Sequence, residues 1–383
     1  MYRRFTRISR KMFKLKIEGG DRGAVAGRIR GACETILAPS RALTKTDITH
    51  QRKLVEESAH KGHFPHQVYE VSKYFSPTTL KSIHETSQAS SRIKTELLRW
   101  SKKGGDRVTL FHSTFDKETI ITDNVNRDLL ELQLQSNFDG ISILDDPSLK
   151  PEQFEHRLNA SIKEIDINEN PLEPIPTFRM DQEPKRFQAK LRILADLGIA
   201  VANPVFASVK KNWHNYSCLE KESLNNEWWV HMSEIPRVDR NHPRSSMSHL
   251  LAFCGITTTA LKSKRLHLGL FERLLVQGKR FDAGTLGLLR KEEHKHRYGE
   301  DLRCNCFVDK GHTLDTFYKA YGGSDQLKSA LYVHEANSSL TEFGNFREAI
   351  LESRTWDYIR EKNHLANIYS SVFGEDPRNQ TLI

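Results

Sequence analysis

Apolar runs are short throughout this sequence. None approaches the ~18–20 uninterrupted apolar residues of a membrane-crossing helix, so a transmembrane span is excluded. Cysteine is scarce and odd in number: Cys33, Cys218, Cys254, Cys304 and Cys306 in 383 residues. That count does not make a secreted disulfide framework. Neither G-x-G-x-x-G nor G-x-x-x-x-G-K-[ST] occurs, so the Gly-rich phosphate loops are missing. H-E-x-x-H and G-x-S-x-G are absent too, and with them the usual marks of zinc peptidases and α/β-hydrolases. No internal repeat stands out. No acid precedes Glu18, while Arg3, Arg4, Arg7, Arg10, Lys11, Lys14 and Lys16 crowd the start. This basic leader, residues 1–11, reads as a solvated tail, an Arg-rich presequence or a nucleic-acid arm, or as residues ahead of a true start at Met12. It has no apolar h-region and is not a secretory signal. A cytoplasmic location is expected.

What is present is ordinary for a globular chain. Hydrophobic residues make up 37% and charged residues 28%, which excludes global disorder. The length suffices for a sizeable core in one large domain or two smaller ones. Lys and Arg outnumber Asp and Glu by 58 to 49, a net charge of +9. This fits a polyanionic partner or simply a basic protein.

Residues 13–42 read as short strands with Gly-rich breaks, Gly19-Gly20-Asp21 being the turn of a hairpin. Residues 43–105 read as mostly helical and polar. A strand–helix alternation then begins. Strands are predicted at VTLFHS, 141–146, 175–181, 199–206, 227–235, 264–269 and 279–284. Helices are predicted at 125–136, 151–165, 183–198, 243–256 and 270–278. Such alternation means parallel strands with crossover helices. The strands end on Asp145, Asp181, Asn203, Glu234, Gly269 and Asp282. Strand C-termini build the active site of a (β/α)8 barrel. A doubly wound sheet would carry a Gly-rich loop after its first strand, so the barrel is the better reading. Beyond 313 the chain reads as helices over 313–322, 324–335 and 343–374, with a loose tail at 376–383.

Several residues could carry chemistry. Cys304 and Cys306 form a C-x-C pair, and Asp309, His312 and His334 could complete a tetrahedral zinc site. The alternative is two incidental cysteines among 17 histidines. Asp282, at a strand end in RFDAG, is either a turn or helix cap or a carboxylate nucleophile for glycosyl chemistry. Asp145 and Asp146 either cap the helix after Pro147 or read the donor-rich edge of a heterocycle. Trp213, Tyr216, Trp228 and Trp229 could stack on a base, but core packing is the better reading of Trp228 and Trp229.

Together these segments resemble the tRNA-guanine transglycosylase superfamily. MFKLKIEGGDRGAVAGRIRGACETILAPSRALTKTDIT is similar to that family's N-terminal strands. FDKETIITDNVNRDLLELQLQSNFDGISILDDP resembles the segment reaching the base-recognition Asp. RFDAGTLGLLRKEEHKHRYGEDLRCNC looks like the nucleophile strand and zinc knuckle, and LYVHEANSSLTEFGNFREAI like the helix bearing the zinc-binding His.

The resemblance implies a (β/α)8 TIM barrel over 12–303, an N-terminal antiparallel β element and a C-terminal zinc-binding helical subdomain over 304–375. It implies exchange of guanine for a 7-deazaguanine base of the queuine, preQ0 or preQ1 type through a covalent Asp-ribosyl intermediate. Asp282 would be the nucleophile, Asp145 or Asp146 the base reader, and Cys304, Cys306 and His334 the ligands of a structural zinc. The sequence departs from the family in three places. Asp309 stands where a third zinc cysteine belongs, so Asp309 or His312 would replace it. The motif bearing the catalytic base is not recognisable, leaving Glu85 or Asp106 as stand-ins. The glycine pair that receives the base is replaced by Ser233-Glu234, with Gly269 as a further substrate contact.

The nucleic acid would be tRNA or DNA. Arg290, Lys291, Lys295 and Arg297 are candidates for holding its phosphates, or else form a solvated loop. Two other readings stay open: a catalytically degenerate tRNA-binding subunit of a heteromeric enzyme, and an unrelated α/β-barrel hydrolase. A homodimer or heterodimer is implied, and no membrane partner.

Overall fold

Alternating apolar and polar residues after Met12 make a strand that buries one face. In a computed structural model of the chain, the described residues are 13–30, 35–57, 64, 67–116, 118–167, 172–237, 247–262, 278–299, 306, 308, 311, 313–321 and 324–374. The basic leader, Cys33 and the tail lie outside them. The strands β1 (Lys14–Asp21), β2 (Ala24–Arg30) and β3 (Thr35–Ala38) form an antiparallel sheet in that order. The hairpin turns at Arg22 and Gly23, both at positive φ. Gly19 and Gly20, expected to be the turn, lie inside β1, where the register shifts between Ile17 and Gly19. A Cβ on Gly23 would meet the Phe253 carbonyl oxygen at 2.7 Å, so glycine is required there for space as well as for φ.

The next strands build a barrel. In chain order they are β4 (Ser40–Arg41), β5 (Leu43–Thr44), β6 (Tyr69–Tyr74), β7 (Thr109–Thr114), β8 (Gly140–Leu144), β9 (Glu173–Arg179), β10 (Val201–Val205), β11 (Trp229–Ile235) and β12 (Thr258–Leu261). The sheet runs β4-β12-β11-β10-β9-β8-β7-β6-β5, with parallel pairing. Ala42 alone separates β4 from β5. Its N–H donates to Thr259 on one side, and the Leu43 N–H donates to Val68 on the other, each at 2.8 Å. One extended segment thus switches neighbours, and nine strand pieces make eight staves of a ring, the arrangement of a (β/α)8 barrel.

Helices cover the outside: α1 (Lys45–Glu57), α2 (Pro77–Glu85), α3 (Ser87–Ser101), α4 (Asp123–Leu134), α5 (Pro151–Ile167), α6 (Pro184–Asp196), α7 (Trp213–Asn226) and the short α8 (Ser248–Leu251). Their starts are written in the sequence. Ser76 caps α2 ahead of Pro77, Thr122 caps α4, and Glu183 caps α6 ahead of Pro184. The N-terminal sheet closes the bottom of the barrel. Phe13 packs edge-on to Trp229 at 4.9 Å, and Leu15 and Ile29 join Val68, Val108 and Val201 in a second core.

Several expectations change. The β6 and β12 strands and the α7 helix were not expected. The strand expected at 279–284 is β13 (Arg280–Asp282), which pairs with β14 (Gly287–Leu289) in a hairpin apart from the ring. The strand at 264–269 lies outside the described residues, as does nearly all of the helix at 270–278. After β14 come α9 (Lys291–Tyr298), α10 (Leu314–Ala320), α11 (Ser324–Leu351), α12 (Thr355–Glu361) and α13 (Asn363–Phe373). The α11 helix is continuous through Gly344 and packs on α1, β1, β2, β4 and β13. Phe343, Phe346, Ile359 and Leu365 share one hydrophobic core with Leu43 and Ile141. The described residues after 304 therefore build the barrel's outer layer and have no separate core.

A buried ionic knot fixes α11. Arg41 reaches Asp47 at 3.0 Å and Glu335 at 3.2 Å, and Arg237 reaches Asp47 at 3.0 Å and Glu335 at 2.7 Å. Two guanidiniums and two carboxylates cancel, which is how charge survives burial. Burial opposes ionisation of Asp47, yet Arg41 and Arg237 hold its carboxyl well below the usual range.

Candidate active site at the barrel mouth

Parallel staves bring all their C-terminal ends to one face. There a cavity of about 950 Å³ opens, walled by Ser113, Asp145, Thr177, Val205, Glu234 and Lys262 at or just past the strand ends. Phe115, Thr119 and Ile120 form one side. Six carboxylates line it, from Asp116, Glu118, Asp145, Asp146, Asp181 and Glu234, against the cations of Arg179, Lys211 and Lys262. This balance does not suit a polyanion inside the cavity.

Glu234 is the most unusual residue of the wall. It has φ +61, a left-handed conformation rare outside glycine. The register of β11 against β12 shifts at this point. Strain of this kind costs on the order of 1–3 kcal/mol and gathers at functional sites. Its Oε1 lies 3.3 Å from His112 Nε2 and its Oε2 3.3 Å from Lys262 Nζ. Burial raises the Glu234 pKa, but the bond from His112 and the two positive charges outweigh it and bring the carboxyl down to about 2. Burial likewise works against a charged His112, but Glu234 and Glu70 raise its pKa. The result is an ionised carboxylate backed by a histidine that favours its protonated form. His112 Nδ1 and Ser113 Oγ have no hydrogen-bond partner among the described residues.

Below the wall the barrel interior is polar. Glu70 sits at its centre, accepting from Ser72 at 2.7 Å, from Ser233, and from His231 Nε2 at 3.1 Å. Burial opposes the charge on Glu70, yet His231, His112 and Ser233 lower its pKa. Ser233 Oγ lies 2.9 Å from Asn203 Oδ1, and His231 Nδ1 lies 2.8 Å from Thr258. Ser233 is fully buried and does not line the cavity. Its expected contact with substrate is replaced by this role beneath the floor.

Asp145 lines the cavity, but its carboxylate is occupied. Lys190 on α6 donates to both oxygens at 2.7 Å and Gln182 donates at 3.0 Å. Burial pushes the Asp145 carboxyl up to about 6 and the Lys190 ammonium down. Asp146 accepts from the Ile121 N–H at 2.7 Å, the Ser148 N–H at 2.8 Å and the Ser148 hydroxyl at 2.6 Å. It is the turn-capping carboxylate of the structural alternative, at the edge of the same cavity.

Asp282 is not in the mouth. It is buried at the end of β13, where Thr285 and Tyr298 donate to its Oδ2 at 2.7 and 3.1 Å. Glu85, exposed at the end of α2, faces Lys81 at 3.8 Å. Asp106 is exposed in the turn before β7, on the barrel's opposite face. Neither lines the mouth. Cys306 Sγ and His334 Nδ1 lie 3.2 Å apart, and His334 Nε2 is 3.0 Å from the Phe281 carbonyl. A carbonyl on the second ring nitrogen is how a metal-bound histidine is oriented, so these two donors fit a zinc site. Cys304, Asp309, His312 and Gly269 lie outside the described residues. No group of three possible metal ligands occurs among the described residues.

Sequence reading missed Glu70, His112, His231 and Lys190. Lys190 left a visible trace. With Phe187, Leu191 and Leu194 it lies on the buried face of α6, where a lysine needs a buried anion. Neither a scan of protein-family models nor a search of curated proteins finds a match to this chain. Among the described residues no helix is long and apolar enough to cross a membrane.

Proposed function

We propose that the protein is a nucleic-acid guanine transglycosylase, exchanging guanine for a 7-deazaguanine base in tRNA at the barrel mouth. The observation that carries the chemistry is Glu234, an ionised carboxylate on strained backbone at the wall of a ligand-sized cavity. The choice of guanine rests on the resemblance of the chain to that superfamily. The guanosine is extruded from its stack at a cost of roughly a few kcal/mol, offset by contacts in the cavity. A Glu234 oxygen attacks C1′, and the C1′–N9 bond breaks with its electron pair leaving on guanine, which takes up a proton. The 7-deazaguanine gives up a proton as its N9 attacks C1′ and frees the carboxylate. Protons balance over the exchange. The nucleophile's role passes to Glu234 because Asp282 does not line the cavity.

Cys306 and His334, with Cys304 and either Asp309 or His312, would hold a zinc ion that ties the β13 hairpin to α11. A second reading has one observation behind it. Asp145, the expected reader of the heterocycle, is engaged by Lys190, as suits a degenerate subunit paired with a catalytic one.

The test is incorporation of radiolabelled guanine into unmodified tRNA and, separately, duplex DNA. Label entering tRNA, lost in Glu234→Gln and kept in Asp282→Asn, is the expected result. Loss in Asp282→Asn alone returns the nucleophile to the hairpin. Label in DNA only reassigns the polymer. Folded wild-type protein that labels neither removes the enzyme reading and leaves the degenerate subunit.

A further inference from the structure

The acid-rich mouth leaves open where a polynucleotide backbone would lie, and one flank of the barrel carries the missing charge. At Trp100, near the end of α3, Lys45 Nζ stands 3.4 Å and Lys103 Nζ 3.9 Å from the ring centroid, with the Arg99 guanidinium at 5.5 Å. The ring holds these ammoniums in place through its electron-rich face. Beside them Lys73 pairs with Glu96 at 2.7 Å. Burial lowers the Lys45 pKa, and the field around it contains the carboxylate of Glu96 against the cations of Lys73, Lys103 and Arg99. Lys73 and Glu96 are also the floor of a groove of about 610 Å³ between α2 and α3. Its other lining residues include the hydroxyls of Thr78, Thr79, Ser82 and Thr86 and the guanidinium of Arg92. The Ser82 and Thr86 hydroxyls each donate to a helix carbonyl at 2.9 Å, so the phosphate donors of the groove are the cations of Lys73 and Arg92. Tyr74, next to Lys73 on β6, donates to Asp116 on the cavity wall at 2.6 Å, so one strand contributes to both the groove and the wall of the mouth.

We propose that the α2–α3 groove and the Lys45/Lys103 pair on Trp100 seat the phosphodiester backbone of a single-stranded or unpaired polynucleotide segment. The contact is through phosphate and carries no sequence preference, because the lysines occupy the Trp100 ring and leave no stacking platform for a base. The polymer follows from the proposed function, but binding is measured without base exchange.

The experiment is fluorescence anisotropy of a labelled ~20-nucleotide strand with the full chain, titrated between about 50 and 200 mM salt. The variants are Lys45→Gln with Lys103→Gln, which keep the apolar stems, and Lys163→Gln with Lys221→Gln on α5 and α7 as the control pair. Each lost phosphate contact removes about 0.7 from the slope of log K against log salt. The Lys45/Lys103 variant should lose about 1.4 and bind on the order of tens-fold more weakly near 50 mM. The control pair should match wild type, and all three proteins should melt alike. An unchanged slope in the Lys45/Lys103 variant overturns the assignment, even if guanine exchange is found. So does equal affinity for polyglutamate, or no binding by wild type. Slope loss without any exchange leaves this surface standing and removes only the enzyme.

Discussion

Replacing Asp145 by asparagine should destabilise the protein before it says anything about ligand binding. Lys190 and Asp145 side chains are at most 4% exposed. The Lys190 ammonium spends its donors on Asp145, on the Asp146 carbonyl at 3.2 Å and on Gln182 at 3.0 Å. Asparagine keeps the shape and one acceptor but leaves the ammonium without a counter-charge. Breaking a buried pair from one side costs about 3–5 kcal/mol. Asp145→Asn should lie near the lower end, because Gln182 and the Asp146 carbonyl still accept from Lys190. Lys190→Met should cost less at neutral pH, since the abandoned carboxyl, already raised to about 6, can take a proton. The double variant Asp145→Asn with Lys190→Met removes both charges and should lose less than the sum of the single changes, by about 2 kcal/mol or more. The assay is urea unfolding followed by far-UV circular dichroism, with midpoint and slope compared across the four proteins. The pH dependence has a fixed sign. A carboxyl whose folded pKa lies above its unfolded 3.8 gives most stability below about pH 4, and this is lost as pH rises through 6. That segment should flatten in Asp145→Asn. An asparagine variant within ~0.5 kcal/mol of wild type, yet defective in base exchange, would refute the reasoning and make Asp145 a ligand reader.

Two other outcomes follow from burial. His249 is fully buried, stacks on Phe343 at 4.0 Å and has no partner for either ring nitrogen among the described residues. Burial lowers its pKa to about 3, so its contribution is complete above pH 6.5 and lost as pH falls towards 3. His249→Phe should therefore recover on the order of 4 kcal/mol of the stability that wild type loses over this window, read from urea midpoints at successive pH values. A parallel loss in both proteins would show that His249 does not control it. Gly27→Ala would place a Cβ 2.7 Å from the Lys16 carbonyl oxygen. Thermal melting should show a loss of about 1–3 kcal/mol as β1 and β2 move apart, and an unchanged melting temperature would contradict this packing.

The alternation of strands and helices between 106 and 206 was legible because its helices are amphipathic, with side-chain caps on α4 and α6, whereas α7, which has no side-chain cap, was missed. The strands β8 and β10 were legible because they are short buried runs. YEVSKY at 69–74 escaped because its inward residues are Glu70 and Ser72, where a half-buried strand normally shows apolar side chains. TTAL at 258–261 is too short and too rich in threonine to stand out. Both failures have one cause, the polar interior of the barrel, and the same interior holds the candidate site. The place of the Asp282 strand in the fold was not legible for a different reason. A strand-end carboxylate looks the same in sequence whether its strand joins the ring or a side hairpin, and pairing over long separations decides which.

The ionic knot of Arg41, Asp47, Arg237 and Glu335 also sets an order of events for the growing chain. Arg41 is on the first stave and Glu335 in the middle of α11, about three hundred residues later. Chains emerge from the ribosome at ~5–20 residues per second. The first stave therefore waits tens of seconds for the carboxylate that completes the knot around its guanidinium. Until residue 261 has emerged the edge of β4 has no β12 to pair with, and from there to residue 335 Arg41 and Arg237 have only Asp47 between them. A nascent chain stalled before residue 258 should remain open at this seam and be a ready target for chaperones and proteases, however well its middle staves have formed.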